Sequence, residues 1–251
     1  MCRAWVPPSR YHLFGEVDIW VGDHDQFSDF IGHLDHPLCT FAPSVRELRI
    51  STGTDDPAPL YPSPDWADPL IPYLGKLMSV KTLSAHAIGR RPNGWEPLFK
   101  SVPFVTQITH LSLQDAEFMT FEECMDTIHS FSSLESLEYF PRSQYDYSYQ
   151  QTAPSLPAFP GSPPSSLRTL QIESFCTTTQ LICQWFHRSQ TRLSVIKLGG
   201  VLETPIPDNS AVKLSTFTQY LQFLGPSLEV LQADFQAAPT LCGFLVDRTV
   251  E

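Results

Sequence analysis

Imidazoles and carboxylates crowd one short stretch of this chain: His24, Asp25, His33, Asp35 and His36 fall within thirteen residues. Such side chains hold zinc when about four of them converge. No Cys pair flanks the stretch, and its His-x-x-His sits at the end of a helical pattern. Histidines favoured by a helix C-terminal dipole explain it better, and no metal ligand is assigned. Paired carboxylates, the usual tools of acid–base chemistry, stand at Asp55-Asp56 and Glu122-Glu123. The first pair reads as a turn and the second as a helix cap. The serine closest to a hydrolase signature, Ser162 in Gly161-Ser162-Pro163, lacks the Gly-x-Ser-x-Gly elbow, and neither Gly-x-Gly-x-x-Gly nor a Walker loop occurs. No nucleophile, base and oxyanion donor can be assembled along the sequence, so the expectation is no enzyme, no catalytic residue and no cofactor.

Charge narrows the partners. The formal net charge of −11 opposes binding to phosphate backbones and anionic membranes, and the only basic pair, Arg90-Arg91, lies in a turn between Gly89 and Gly94. The start has no apolar signal region, and no apolar run approaches bilayer length. Six cysteines are scattered without a Cys-x-x-Cys, which reads as free thiols in a reducing compartment, cytoplasmic or nuclear. With 251 residues, 42% of them hydrophobic, the chain can build a continuous core, while 23 prolines require many stiff loops.

The elements that would position any site follow from a short repeat, apolar-x-x-apolar-x-apolar. It runs Phe14/Val17/Ile19, Val45/Leu48/Ile50, Val80/Leu83/Ala85, Ile108/Leu111/Leu113, Leu134/Leu137/Tyr139, Leu167/Leu170/Ile172, Leu193/Ile196/Leu198 and Leu228/Leu231/Ala233. The middle residues are spaced by 31, 35, 28, 26, 33, 26 and 35, which suits leucine-rich-type units with loops inserted in the longer ones. The closing apolar-x-apolar step alternates as a strand does. Between strands the period becomes helical: Phe27, Phe30, Ile31 and Leu34; Phe121, Cys124, Met125, Ile128 and Phe131 after a Thr120 capping box; Leu181 to Phe186 after Thr177; and Phe217, Tyr220, Leu221 and Leu224 before Gly225-Pro226.

Helix then strand, repeated, predicts an α/β chain: an irregular leucine-rich-repeat-like solenoid with parallel strands on the concave side and helices on the convex side. A doubly wound α/β domain competes, and would show longer, near-continuous apolar strands and a Gly-rich phosphate turn. Regular leucine-rich repeats place Asn or Cys three residues past the last strand apolar. Here those positions hold Gly53, Ile88, Ala116, Arg142, Phe175, Val201 and Gln236, so no Asn ladder forms and the repeats should be irregular. Residues 140–166, rich in Pro, Ser and Tyr, read as a flexible insertion, and Asp55 to Pro72 and Pro205 to Asn209 as shorter loops. Strand residues between the buried ones would form the concave face, and Arg49, His86, Gln114, Glu138, Gln171, Lys197 and Asp234 are its candidate protein-binding residues.

Two phrases resemble fungal F-box-like proteins with irregular leucine-rich repeats. Cys2 to Phe14 is similar to the stretch that closes the F-box and leads into the first strand. Ile108-Thr109-His110-Leu111-Ser112-Leu113, followed by Ser132-Ser133-Leu134-Glu135-Ser136-Leu137, is similar to that family's repeat wording. The resemblance implies that residues 1–14 are a remnant of the F-box-like closing segment and 15–251 the repeat solenoid. It further implies a protein-interaction module akin to the substrate-recognition part of a cullin-RING ubiquitin ligase adaptor, with a ubiquitination substrate as partner. F-box helices of the family dock on Skp1, but the Leu-Pro-x-Glu opening and first helices do not stand ahead of Cys2, so Skp1 is a doubtful partner on this reading. The alternative is a stand-alone repeat scaffold or a truncated gene product.

Overall fold

The computed structural model describes residues 13–52, 65–87, 95–116, 118, 120–141, 161–172, 177–199 and 210–233. Each copy of the hexad becomes a strand: β1 (Glu16–Trp20), β2 (Glu47–Ser51), β3 (Thr82–His86), β4 (His110–Ala116), β5 (Ser136–Pro141), β6 (Thr169–Ile172), β7 (Val195–Leu198) and β8 (Val230–Ala233). They form one open sheet of eight parallel strands in sequence order. The hexad middles lie in one continuous register row: Val17, Leu48, Leu83, Leu111, Leu137, Leu170, Ile196 and Leu231. The order never reverses, so the sheet has no topological switch point, the place where doubly wound domains bind their ligands.

A backbone device repeats at every junction between strands. The carbonyl of the residue just before one strand accepts two successive N–H groups of the next repeat: Gly15 from Arg46 and Glu47, Arg46 from Lys81 and Thr82, Lys81 from Thr109 and His110. Thr109, Glu135, Arg168 and Ser194 continue the series to Glu229 and Val230. The apolar residue one step earlier is buried in every inner repeat, at Val45, Val80, Ile108, Leu134, Leu167 and Leu193, because neighbours cover it from both sides. The corresponding residues of the first and last copies are less covered: Phe14 is 37% exposed and Leu228 is half-buried.

Helices join the strands where the sequence allows them. Helix α1 (His24–Asp35) begins at Asp23, whose Oδ1 accepts the N–H groups of Asp25 and Gln26, two donors a helix start otherwise leaves unpaired. It buries Phe27 and Leu34, with Phe30 and Ile31 packed beside them. The connections on either side of β3 differ from the expected helix. A 3₁₀ segment, Ile71–Lys76, precedes β3, and two single turns, α2 (Glu96–Phe99) and α3 (Val102–Val105), follow it. Pro72, Pro97 and Pro103 each occupy a first-turn position, where proline is tolerated but stops any helix arriving from upstream.

Longer helices return further on. Helix α4 (Phe121–Ser130) is capped by Thr120, whose Oγ1 accepts the Glu123 N–H at 3.1 Å, and it buries Phe121, Cys124, Met125 and Ile128 as the periodicity predicts. Helix α5 is Thr177–Arg188, and α6 is Ser210–Leu224, ended by Gly225 at φ +41°. That left-handed conformation costs glycine nothing and most other residues about 1 kcal/mol.

Buried strand and helix residues form one continuous core from Ile19 to Leu224. Where helices are short, aromatic rings bridge the repeats: Phe27 meets Trp66, Trp66 meets Trp95, Trp95 meets Phe99 and Phe99 meets Phe131, with centroids 6.3, 5.0, 5.7 and 5.7 Å apart. The 140–166 stretch is built in at both described ends. Phe140 and Pro141 belong to β5, and beyond 142–160, which lie outside the described residues, Gly161 and Ser162 are pinned from the helices. Trp185 Nε1 donates to the Gly161 carbonyl at 2.7 Å, His129 Nδ1 lies 2.9 Å from that of Ser162, and Pro163 and Pro164 are buried.

Candidate functional site

Alternation along each strand sends the hexad residues into the core and the residues between them to the other face of the sheet, which no described element covers. Register arranges that face in three rows. Nearest the strand starts stand Glu16, Glu47, Thr82, His110, Ser136, Thr169, Val195 and Val230. The middle row is Asp18, Arg49, Ser84, Ser112, Glu138, Gln171, Lys197 and Gln232. At the C-terminal ends stand Trp20, Ser51, His86, Gln114 and Phe140.

The candidate residues divide between these rows. Arg49, Glu138, Gln171 and Lys197 share the middle one, His86 and Gln114 share the C-terminal one, and Asp234 lies outside the described residues. Arg49 is tied down: its Nη1 lies 2.6 Å from Glu16 Oε1, and its Nε donates to Glu47 Oε1 at 2.8 Å. The bond to Glu47, helped by the charges of Glu47, Glu16 and Asp18, raises the guanidinium pKa above its ordinary value. Since the side chain is 47% exposed, water screens this cluster and its worth to stability is small.

Two middle-row positions are buried although they face the open side. Ser84 and Ser112 are only 8% and 6% exposed, because these short side chains sit between longer neighbours, and Gln114 Nε2 reaches back to Ser112 Oγ at 3.2 Å. The face is therefore lowest in its centre and flanked by Arg49 and Glu138.

The C-terminal row holds a polar chain that a search along the sequence missed. Ser51 Oγ is 3.2 Å from His86 Nδ1, and His86 Nε2 is 3.3 Å from Asp115 Oδ2. Asp115 reaches this place through a bulge: the β4–β5 register shifts between Gln114 and Ala116, and Asp115 takes φ +49°. Ala87, next to His86, has φ +57°, with Thr52 Oγ1 donating to its carbonyl. Left-handed backbone at non-glycine residues costs about 1–2 kcal/mol each and gathers at functional sites. Trp20, 44% exposed, stands beside Ser51 in register and was likewise not singled out, although its alternation with Val17 and Ile19 marks it.

The histidine and carboxylate run near the N-terminal end is spread along α1. His24 and His33 stand at opposite ends of the helix, roughly 14 Å apart at 1.5 Å per residue. His36 Nδ1 accepts the Leu38 N–H at 3.1 Å, and the Asp35 side chain hydrogen-bonds Tyr73, raising that phenol's pKa. Among the described residues no three His, Cys, Asp or Glu side chains gather in a metal-holding group. Glu122 and Glu123 lie in the first turn of α4, Asp55-Asp56 and Arg90-Arg91 lie outside the described residues, and Cys39, Cys124 and Cys183 are not joined in disulfides. Residues 1–12, most of the stretch that resembles the F-box closing segment, are also outside, while Phe14 packs on Phe41 at 5.1 Å. Among the described residues no helix is long and apolar enough to cross a membrane. No family model matches the chain, and no curated protein matches it.

Proposed function

We propose that this chain is a protein-interaction module, an irregular leucine-rich-repeat-like solenoid that receives a protein partner on the concave face of its sheet. The observation that carries the reading is the uncovered face itself: three register rows of mostly polar side chains across the sheet, with the hexad residues of the inner strands buried on the other side. Unreversed strand order and the shared junction carbonyls support the solenoid, since right-handed crossovers between successive neighbours put all connections on one side. The resemblance of Cys2–Phe14 and of the repeat wording supports the finer role, substrate recognition in the manner of an F-box adaptor in a fungal cell.

The test is affinity capture from cells with two charge-swapped variants of the full chain. Glu138→Lys with Lys197→Glu reverses two middle-row charges without altering net charge. Asp126→Lys with Lys100→Glu does the same on the connections. Partners recovered with wild type and with the second variant, but lost with the first, are the expected result; partners indifferent to the first variant contradict it. Skp1 among the recovered proteins supports the adaptor role. Its absence, with face-dependent partners retained, favours the stand-alone scaffold.

A further inference from the structure

We infer that Ser51 is an activated nucleophile, with His86 as its general base and Asp115 orienting the imidazole, able to take an acyl group from a carboxylic ester. The inference is independent of the protein-binding reading and rests on the geometry of three neighbouring strands. Ser51, His86 and Asp115 stand at the C-terminal ends of β2, β3 and β4. His86 Nε2 lies 3.3 Å from Asp115 Oδ2, close enough for the carboxylate to favour the tautomer with the proton on Nε2, and in that tautomer Nδ1 accepts the Ser51 hydroxyl across 3.2 Å. That is the order nucleophile, base, carboxylate, with each pair near hydrogen-bond reach. The β4 bulge and the left-handed backbone at Asp115 bring the carboxylate to the ring, a conformation whose cost a plain strand would not carry.

Trp20 adds a place for the substrate. Its ring, 44% exposed, flanks Ser51 on the side away from His86, so an ester with a flat or apolar acyl group can rest there while its carbonyl meets Ser51. Ser51 Oγ forms a bond to the carbonyl carbon as its proton passes to His86 Nδ1. The carbon–oxygen bond to the alcohol then breaks, and the alcohol leaves with that proton. Water attacks the acyl carbon next, giving a proton to His86, and Ser51 Oγ departs and takes it back. His86 and Asp115 side chains are 42% and 51% exposed, so the relay works in water and its acceleration belongs at the low end, on the order of a hundredfold.

The experiment is labelling of the full chain with an alkyl fluorophosphonate, which bonds through phosphorus to an activated serine as fluoride leaves, followed by peptide mass spectrometry. An adduct on Ser51 is expected, with Ser84, a serine on the next strand, unlabelled. His86→Gln keeps a side chain of similar reach that cannot accept a proton, and should slow labelling about a hundredfold; Asp115→Asn should slow it less. Circular dichroism checks that both variants stay folded, and release of p-nitrophenol from p-nitrophenyl butyrate should fall in step with labelling. No adduct on Ser51 overturns the proposal, as does an adduct forming equally fast in His86→Gln.

Discussion

Tyr220 lies fully buried between Phe186 and Phe223, its hydroxyl donating to the Thr191 carbonyl at 3.1 Å. Burial, and secondarily the charge of Cys183, raises the phenol's pKa far above its ordinary value near 10. The folded state then holds a proton that the unfolded chain releases above about pH 10, so stability is full below that pH and declines as pH rises beyond it. Urea midpoints measured from pH 7 to 11 should fall more steeply for wild type than for Tyr220→Phe. That variant should lose about 1 kcal/mol at neutral pH with its hydrogen bond. Parallel curves would contradict the burial of this side chain.

Strand register gives a second contrast between adjacent residues. Leu111 is 1% exposed and faces the core, so Leu111→Asp buries an unpaired charge and should cost roughly 4 kcal/mol or more. Ser112 faces the open side but sits low among its neighbours, so Ser112→Asp should cost about 1 kcal/mol, a carboxylate there being able to turn toward water. Equal denaturation midpoints for the two variants would refute the register. Both facings were legible from the hexad alone. Asp115 was not, because a bulge inserts a residue outside the two-residue period, and the next link of the chain, Ser51 to His86, spans 35 positions.

Helices and turns show where local signals sufficed. Thr120 with Glu123 announced α4, and the hydrogen bond between them is present. Thr120→Ala should lower stability by about 1 kcal/mol while Thr120→Ser leaves it nearly unchanged, read by thermal unfolding. A loss equal in both would mean that the threonine's methyl group, and not its oxygen, matters. The turns around β3 carry no helical stripe in the sequence, and tertiary contact, not periodicity, holds them. Pro72, Pro97 and Pro103 each stop a helix arriving from upstream, and the rings of Trp66, Trp95 and Phe99 pack against one another there. Nothing in the spacing of two tryptophans 29 residues apart reveals that they meet at 5.0 Å.

Across the whole molecule, each repeat buries its hexad only against its neighbours and hands its carbonyl to the next, so the same geometry recurs although the connections do not. What recurs on the outside is an open face with Trp20 and Phe140 at its C-terminal row and charged side chains in the middle. Partner binding there should be measurable directly by hydroxyl-radical footprinting of the complex with a captured partner. Trp20 and Phe140 should lose reactivity on binding, while Leu38 and Met78, exposed on the connections at 75% and 50%, keep theirs. Protection of Leu38 and Met78, with Trp20 and Phe140 unchanged, would contradict the open face as the binding surface.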